Sequence, residues 1–406
     1  MVRQTDIVIS GAGAAGLTLA LLLANVGLNV VIVDPYPPKA LSETKRSART
    51  VALMNSSLNI IKQTGVWDTL KDHSAALEQM RILDDSDPLR EPIEVPFPAS
   101  DIGQEQFGFN IPNSFLRAAL FDLLQTHDNI TFIESAFADY EIMDAHIQVT
   151  FENGERYAGG LLVGADGRNS LVREAAGIKA STKTYEQSAI TCIINHSRAH
   201  QNISTEFHRE NGPMALVPLP GNQSSVVWVD HPENVQALLH LKKGEFVQAL
   251  QDKTHDILGG ITLETGPESW PLSTIKTQEI TATRIALIAE AAHVMSPITA
   301  QGLNLSLRDV ATLAEEITDH VRLGGDIGAQ NTLRAYERRR SLDINTRVFG
   351  VDKMNKTVST KILGLKRLRR TGLKLMNTPL PIKTLAMQLG LAPQLDEGRL
   401  AKGEAL

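Results

Sequence analysis

Gly11, Gly13 and Gly16, in the run GAGAAG, follow the apolar stretch Asp6-Ile-Val-Ile-Ser10 and open an apolar helix over residues 17–24. Glycines at this spacing suit the approach of a backbone turn to a pyrophosphate. Gly11 permits the tight turn, Gly13 leaves room for the phosphates, and Gly16 lets the helix pack close to the strand, with Ala15 beside it. The amides at the helix start present roughly half a positive charge to the anion. A second apolar stretch, Asn29-Val-Val-Ile-Val-Asp34, ends on an acid placed to accept from both ribose hydroxyls of an adenosine. Together these residues predict a dinucleotide site.

Two further clusters carry chemistry. Asp166 and Gly167, in Gly164-Ala-Asp-Gly-Arg-Asn-Ser170-Leu-Val-Arg173, end the apolar run Leu161-Leu-Val and lead into a helix. Asp166 either contacts a cofactor or caps that helix. Ala289-Glu290-Ala-Ala-His293 is followed by Pro297 and by Gln301-Gly302-Leu303-Asn304, which starts a helix expected to run to about Ile317. The first amides of a helix are free to bind negative charge. Arg49, in Ser47-Ala-Arg-Thr-Val-Ala-Leu53, and Arg117, after Ile111-Pro-Asn-Ser-Phe-Leu, are guanidinium candidates for bidentate pairing with phosphate. The competing reading of each is a surface ion pair.

In order and spacing the three clusters resemble the motifs of the aromatic-ring flavoprotein monooxygenases, the family of para-hydroxybenzoate hydroxylase. The wording IALIAEAAHVMSPITAQGLNLSLRDV is most similar to the ubiquinone-biosynthesis hydroxylases within it. The resemblance implies an α/β fold in which a Rossmann-type FAD-binding domain is interleaved with a sheet-dominated substrate domain and followed by C-terminal helices. It implies FAD contacts from Asp166, Arg49 and Arg117, with Pro297 against the isoalloxazine ring. The amides of Gly302, Leu303 and Asn304 would face the pyrimidine edge, where a reduced flavin carries negative charge. Glu290 stands where the family has an aspartate on the ribityl chain, one methylene further out. Ala289 replaces a family glycine, so its backbone is expected to retreat or to keep a negative φ. His293 is either a proton carrier or a buried histidine bonded to a backbone carbonyl.

The implied activity is hydroxylation of an aromatic ring with dioxygen and NADPH or NADH, on a polyprenylated phenol of ubiquinone biosynthesis. The nucleotide would dock transiently, since a second glycine fingerprint is absent. No catalytic acid or base emerges from the residues alone. Two alternatives stay open: a soluble phenol hydroxylase or flavin epoxidase, and a non-catalytic scaffold of a quinone-synthesis assembly.

These motifs must be positioned by a discontinuous domain built from residues 1–70, 108–177 and 276–340, with 71–107 and 178–275 forming the substrate domain. The clearest hairpin there is Met214 to Leu219, a Pro220-Gly-Asn222 turn, then Ser224 to Asp230. Phe207, Leu216, Val226 and Trp228 are its candidates for lining an aromatic pocket, against the commoner fate of plain core. Residues 341–406 form a C-terminal helical segment in which Lys361, Lys366, Arg367, Arg369, Arg370 and Lys374 have no acid between them. Leu365, Leu368, Leu375 and Met376 keep helical spacing among these charges, which suggests either a solvated face or docking to an anionic membrane or another quinone-synthesis protein.

Composition agrees. The 406 residues are 42% apolar and 21% charged, ordinary for a two-domain globular chain. A formal net charge of −6 argues against nucleic-acid binding. Cys192 is the single cysteine, which excludes an internal disulfide and a cysteine-built metal site. The chain runs from Met1 straight into its first strand, so it is expected in the cytoplasm, with peripheral contact to the inner membrane if the basic segment docks.

Overall fold

A computed structural model describes residues 1–87, 90–296, 301–358, 363–377, 383–385, 387 and 397–406. The chain's continuous apolar runs become the strands β1 (Ile7–Ser10), β2 (Val30–Val33), β3 (Ile130–Ile133), β4 (Leu161–Gly164) and β5 (Ile285–Leu287). They lie parallel in the order β5-β4-β1-β2-β3, and Thr281–Ala282 adds an antiparallel edge. Every residue of β1, β2, β4 and β5 is buried, as a parallel sheet covered on both faces requires. Helices α1 (Ala14–Asn25) and α2 (Gly302–Arg322) pack against each other. Because β1, β2, β4 and β5 run the same way, GAGAAG, Asp34, Asp166-Gly167 and Ala289 all emerge at the carboxyl ends of neighbouring strands.

A nine-stranded sheet forms the second layer. Its longest strand, Ala180–His196, pairs with Gln223–Asp230 and with Glu268–Thr277. The hairpin closes where expected, with Leu219 opposite Gln223 and Gly221 at φ +74° in the turn. One face of this sheet packs on the helices Pro232–Leu239 and Lys243–Lys253 through Val235, Phe246 and Leu250. The other faces strand Thr50–Met54 and holds an apolar cluster of Ala52, Met54, Val95, Phe97 and Phe107. Cys192 lies in the outer core, where burial pushes its thiol up to about 12 and leaves it inert.

Helix α3 (Gln330–Val358) runs unbroken through residue 340, so the boundary expected there falls inside a helix. Helix α4 (Leu363–Met376) carries much of the basic run, and two of its arginines are not solvated. Arg369 Nε and Arg370 Nη1 reach buried Asp84 at 2.8 and 3.3 Å. Burial would raise the Asp84 carboxyl, but the Ser86 hydroxyl and Arg369 outweigh it and hold it below the usual range. Conversely Leu368 is 69% exposed and Leu375 48%. Two of its guanidinium groups thus point in, beside buried Leu373, and two of its leucines point out. Lys374 is exposed, Lys361 lies outside the described residues, and so do the side chains of Lys366 and Arg367. Among the described residues, no helix is long and apolar enough to cross a membrane.

Removing Asp84 would leave two buried guanidinium groups without their carboxylate, a loss of about 3 to 5 kcal/mol for a broken buried pair. Asp84→Ala should therefore expose residues 358–377 to limited proteolysis well before the central sheet is cut, and an unchanged cleavage pattern would show that α4 is held by its apolar contacts alone.

Candidate active site

A cleft of about 530 Å³ opens at the carboxyl edge of the central sheet, lined by Gly11, Gly13, Asp34, Arg117, Asp166 and Gly167 among others. Gly11 sits at φ +110°, and a Cβ there would come within 2.4 Å of the Ala165 carbonyl oxygen. A Cβ on Gly16 would come within 2.0 Å of the Gly11 oxygen, whereas one on Gly13 would meet nothing within 4 Å. Two glycines therefore permit close packing, and the third leaves open space beside the helix amides, where a pyrophosphate fits. Asp166 Oδ2 accepts from the Val172 amide at 3.1 Å, while its buried Oδ1 has no partner. Burial pushes the Asp166 carboxyl above its usual range, outweighing the Ser170 hydroxyl and the helix amides. Such an orphaned acceptor suits a ligand that brings a hydroxyl donor. The local helix cap is Ser170, whose Oγ accepts from the Arg173 amide.

Asp34 binds its own turn, accepting from the Ala12 amide at 2.7 Å and the Tyr36 amide at 2.8 Å. Arg117, the expected phosphate clamp, donates Nε to the Ala12 carbonyl and Nη2 to the Tyr36 carbonyl, each at 2.7 Å, and stands 3.6 Å from Asp34. Its place is that of a brace across the fingerprint turn. Arg49 does not line the cleft; its guanidinium stacks over Trp270 at 4.7 Å, at the seam with the large sheet.

The second and third motifs are tied together by residues not singled out from sequence. Arg173 donates Nη2 to the Arg168 carbonyl at 2.8 Å and Nη1 to the Ala291 carbonyl at 3.0 Å. Glu290 pairs with Arg168 at 3.5 Å, both side chains partly exposed. A long cation at the end of a motif that returns toward the strand is the only sequence trace of this clamp.

Ala289 departs from expectation: its φ is +56°, in the left-handed region. An alanine there costs roughly 1 to 2 kcal/mol, and its amide is held by Asp309 Oδ2 at 3.0 Å. His293 also departs, since its Nε2 meets the same Asp309 oxygen at 2.6 Å instead of a backbone carbonyl. At the start of α2, Gln301 is the residue before the helix, and Gly302, Leu303 and Asn304 form its first turn. The Asn304 side chain accepts from the Met54 amide at 2.9 Å and donates to the Ala52 carbonyl at 2.8 Å, pinning strand Thr50–Met54 beside that helix end. Pro297 lies outside the described residues.

Phe207, Leu216, Val226 and Trp228 pack in the outer core with Phe246 and Leu250, on the face of the sheet turned away from strand Thr50–Met54. Side chains alternate between faces, so the neighbouring set Ala215, Val217, Ser225 and Val227 points the other way. Ser225 shows it, with its Oγ 2.9 Å from Thr50 Oγ1. Trp270, opposite Ala189, is an aromatic residue of this inner face.

With that geometry in view, the relatives are informative. The sequence profile of the family described as FAD binding domain matches residues 4–348. A ubiquinone hydroxylase, UbiL of Rhodospirillum rubrum, is 33% identical over 388 residues, 95% of this chain and 89% of that one. The 3-demethoxyubiquinol 3-hydroxylase of Escherichia coli is 27% identical over 96% of this chain and 99% of its own. The probable FAD-dependent monooxygenase pqsL of Pseudomonas aeruginosa superposes with a TM-score of 0.77 at 19% identity, over 92% of this chain and 100% of that one, which shows the shared fold. The site and fold define a flavoprotein, and the chain belongs to the FAD-binding family of monooxygenases that includes the ubiquinone hydroxylases. Its cofactor is FAD.

Asp34→Ala should weaken FAD binding by about 1 to 3 kcal/mol, through stranded backbone amides and lost ribose contacts. Titration of apoprotein followed by flavin fluorescence reads this directly, and unchanged affinity would place the ribose elsewhere. A second expectation concerns acid stability. Asp343, on α3, is raised by burial but lowered more by Arg308 and Arg340, ending at about 2 against an ordinary 3.8. A carboxyl depressed by folding contributes stability above its unfolded pKa and loses it as pH falls through the folded value. Tm should thus fall between about pH 4 and pH 2, and Asp343→Asn should make that slope shallower.

Proposed function

We propose that this enzyme hydroxylates the aromatic ring of a polyprenylated phenol in ubiquinone biosynthesis, using NADH or NADPH and dioxygen. The observation that carries the reading is an apolar seam beside the start of α2, continued beneath helix α4. The names of the relatives, ubiquinone hydroxylase and 3-demethoxyubiquinol 3-hydroxylase, support the same substrate class.

Bound FAD supplies the redox chemistry, by which one oxygen atom of dioxygen enters the ring and the other leaves as water. The GAGAAG turn, Asp34 and Asp166 would hold its adenosine and pyrophosphate half. The first amides of α2 would face the flavin's pyrimidine edge, and Glu290 with Arg168 would border the ribityl chain. The ring seat would lie between strand Thr50–Met54 and the inner face, where Ala215, Val217 and Val227 are half-buried. Two buried polar atoms without partners, Asn110 Oδ1 and Thr191 Oγ1, belong to this seam and suit the oxygen substituents of a phenol. Arg49 stacked on Trp270 would border one end of the seam.

A prenyl tail needs an apolar path. Met80, Ile82 and Phe97 continue the inner face, and Leu373, Met376 and Met387 cover it from the C-terminal helices. Methionines adapt to a flexible chain without fixing its shape. Beyond them, Leu368, Leu375 and Lys374 look outward, as a helix that meets a lipid surface would present them. Substrate chains anchored by about 0.8 kcal/mol per buried methylene are best met at that surface.

Deleting the gene in its host should cause accumulation of a quinone precursor lacking one ring oxygen, identified by mass spectrometry. Replacing Leu368 and Leu375 by Ser should reduce sedimentation with anionic liposomes and leave FAD content intact. Turnover of a long-chain phenol in vesicles should then fall more than that of a short-chain analogue. Equal rates on both substrates, with unaltered sedimentation, would refute the docking face.

A further inference from the structure

The hydrogen bonds of Ala289 and His293 meet on one carboxylate. Asp309 stands on α2, on the same helix whose first turn begins at Gly302. Its Oδ2 accepts from the Ala289 amide at 3.0 Å and meets His293 Nε2 at 2.6 Å, while Oδ1 accepts from Arg340 Nε at 2.8 Å. Asp309 is fully buried and Arg340 nearly so. From Arg340 the chain of contacts continues through Nη1 to Asp343 Oδ2 at 2.8 Å, and from Asp343 Oδ1 to Arg347 Nε at 3.3 Å. It ends where Arg347 Nη1 donates to Gln301 Oε1 at 2.7 Å. The path leads from Ala289 to Gln301.

A buried ion-pair chain of this kind adds little net stability, because desolvation offsets the attraction. Its effect is to admit one geometry. Here it selects a left-handed backbone at Ala289, which an alanine does not adopt unaided. The carboxylate stays charged, since His293 and Arg340 outweigh the burial that opposes its ionisation.

We propose that Asp309 is a positioning residue for the flavin: it holds Ala289 in the left-handed conformation and, through Arg340, Asp343 and Arg347, sets Gln301 at the start of α2, so that one ion-pair chain fixes two points of the flavin site. This rests on the assignment of FAD to the site. Asp309 touches no cofactor in this scheme; it acts through the backbone of Ala289 and the side chain of Gln301.

The test is a cycle on apoprotein titrated with FAD. Asp309→Asn keeps an acceptor but loses the charge-assisted bonds, and should weaken FAD about tenfold or more. Ala289→Gly alone should stay within about threefold of wild type, because glycine reaches the left-handed region without support. Added to Asp309→Asn, it should restore the part of the lost affinity that runs through Ala289, so that the double variant binds FAD measurably tighter than Asp309→Asn. A double variant as weak as Asp309→Asn overturns the proposal, since a merely structural aspartate would not be rescued at position 289. Arg347→Met tests the other arm even if Asp309→Asn fails to fold. It should weaken FAD and alter the visible circular dichroism of the bound flavin, and wild-type affinity with a wild-type spectrum would overturn the proposal. A wild-type chain that takes up no FAD would instead sink the cofactor assignment.

Discussion

The close approach of two backbone turns governs this structure. Gly11, at φ +110°, lies so near Ala165 that a Cβ would collide with its carbonyl. That contact joins the turn after β1 to the turn after β4, and the parallel pairing of those strands, Ser10 beside Gly164, brings it about. Everything at the cleft follows from it. The amide of Ala165 reaches the Ser10 carbonyl, Asp166 is delivered to the rim, and α1 starts where a phosphate can approach its amides.

From that junction the remaining motifs are placed by side chains. Arg117 braces the first turn from outside, Arg173 ties the second motif to the third, and Asn304 locks strand Thr50–Met54 to the start of α2. Each of these side chains binds backbone carbonyls or amides, so each constrains main-chain position directly. The site is therefore a set of loops held by a rigid sheet and cross-linked by polar side chains, which is how loops acquire the precision that binding needs.

The large sheet and the C-terminal helices supply the other half of the design. Both faces of the sheet are covered, one by the helices Pro232–Leu239 and Lys243–Lys253 and one by strand Thr50–Met54 with Leu373 and Met387, so its alternating pattern marks two covered faces rather than one. Helix α4 turns Arg369 and Arg370 inward on Asp84 beside buried Leu373, and turns Leu368 and Leu375 outward. The ion pairs to Asp84 tie the helix to strand Gln79–Asp84, while Leu368 and Leu375 stay exposed.

Much of the fold was legible in the chain. Strands β1, β2 and β4, helices α1 and α2 and the hairpin about Gly221 are local patterns of apolar period and glycine, which short stretches of sequence specify by themselves. The glycine turn and the acid that border the cleft were legible for the same reason, since they act through neighbouring residues. What the tertiary structure decided were matters of facing and partnership. Alternation in the hairpin could not say which set looks toward the flavin domain, and the bulkier set, Phe207, Leu216, Val226 and Trp228, proved to face away. Arg369 and Arg370 read as exposed because Asp84, which buries them, lies almost three hundred residues earlier in the chain. Ala289 was expected to avoid the left-handed region because nothing nearby in sequence supports it; the support is Asp309, from a helix that reaches it only through folding. Backbone tendencies are local and can be read along the chain, whereas buried charges take their partners from whatever the fold brings within hydrogen-bonding distance.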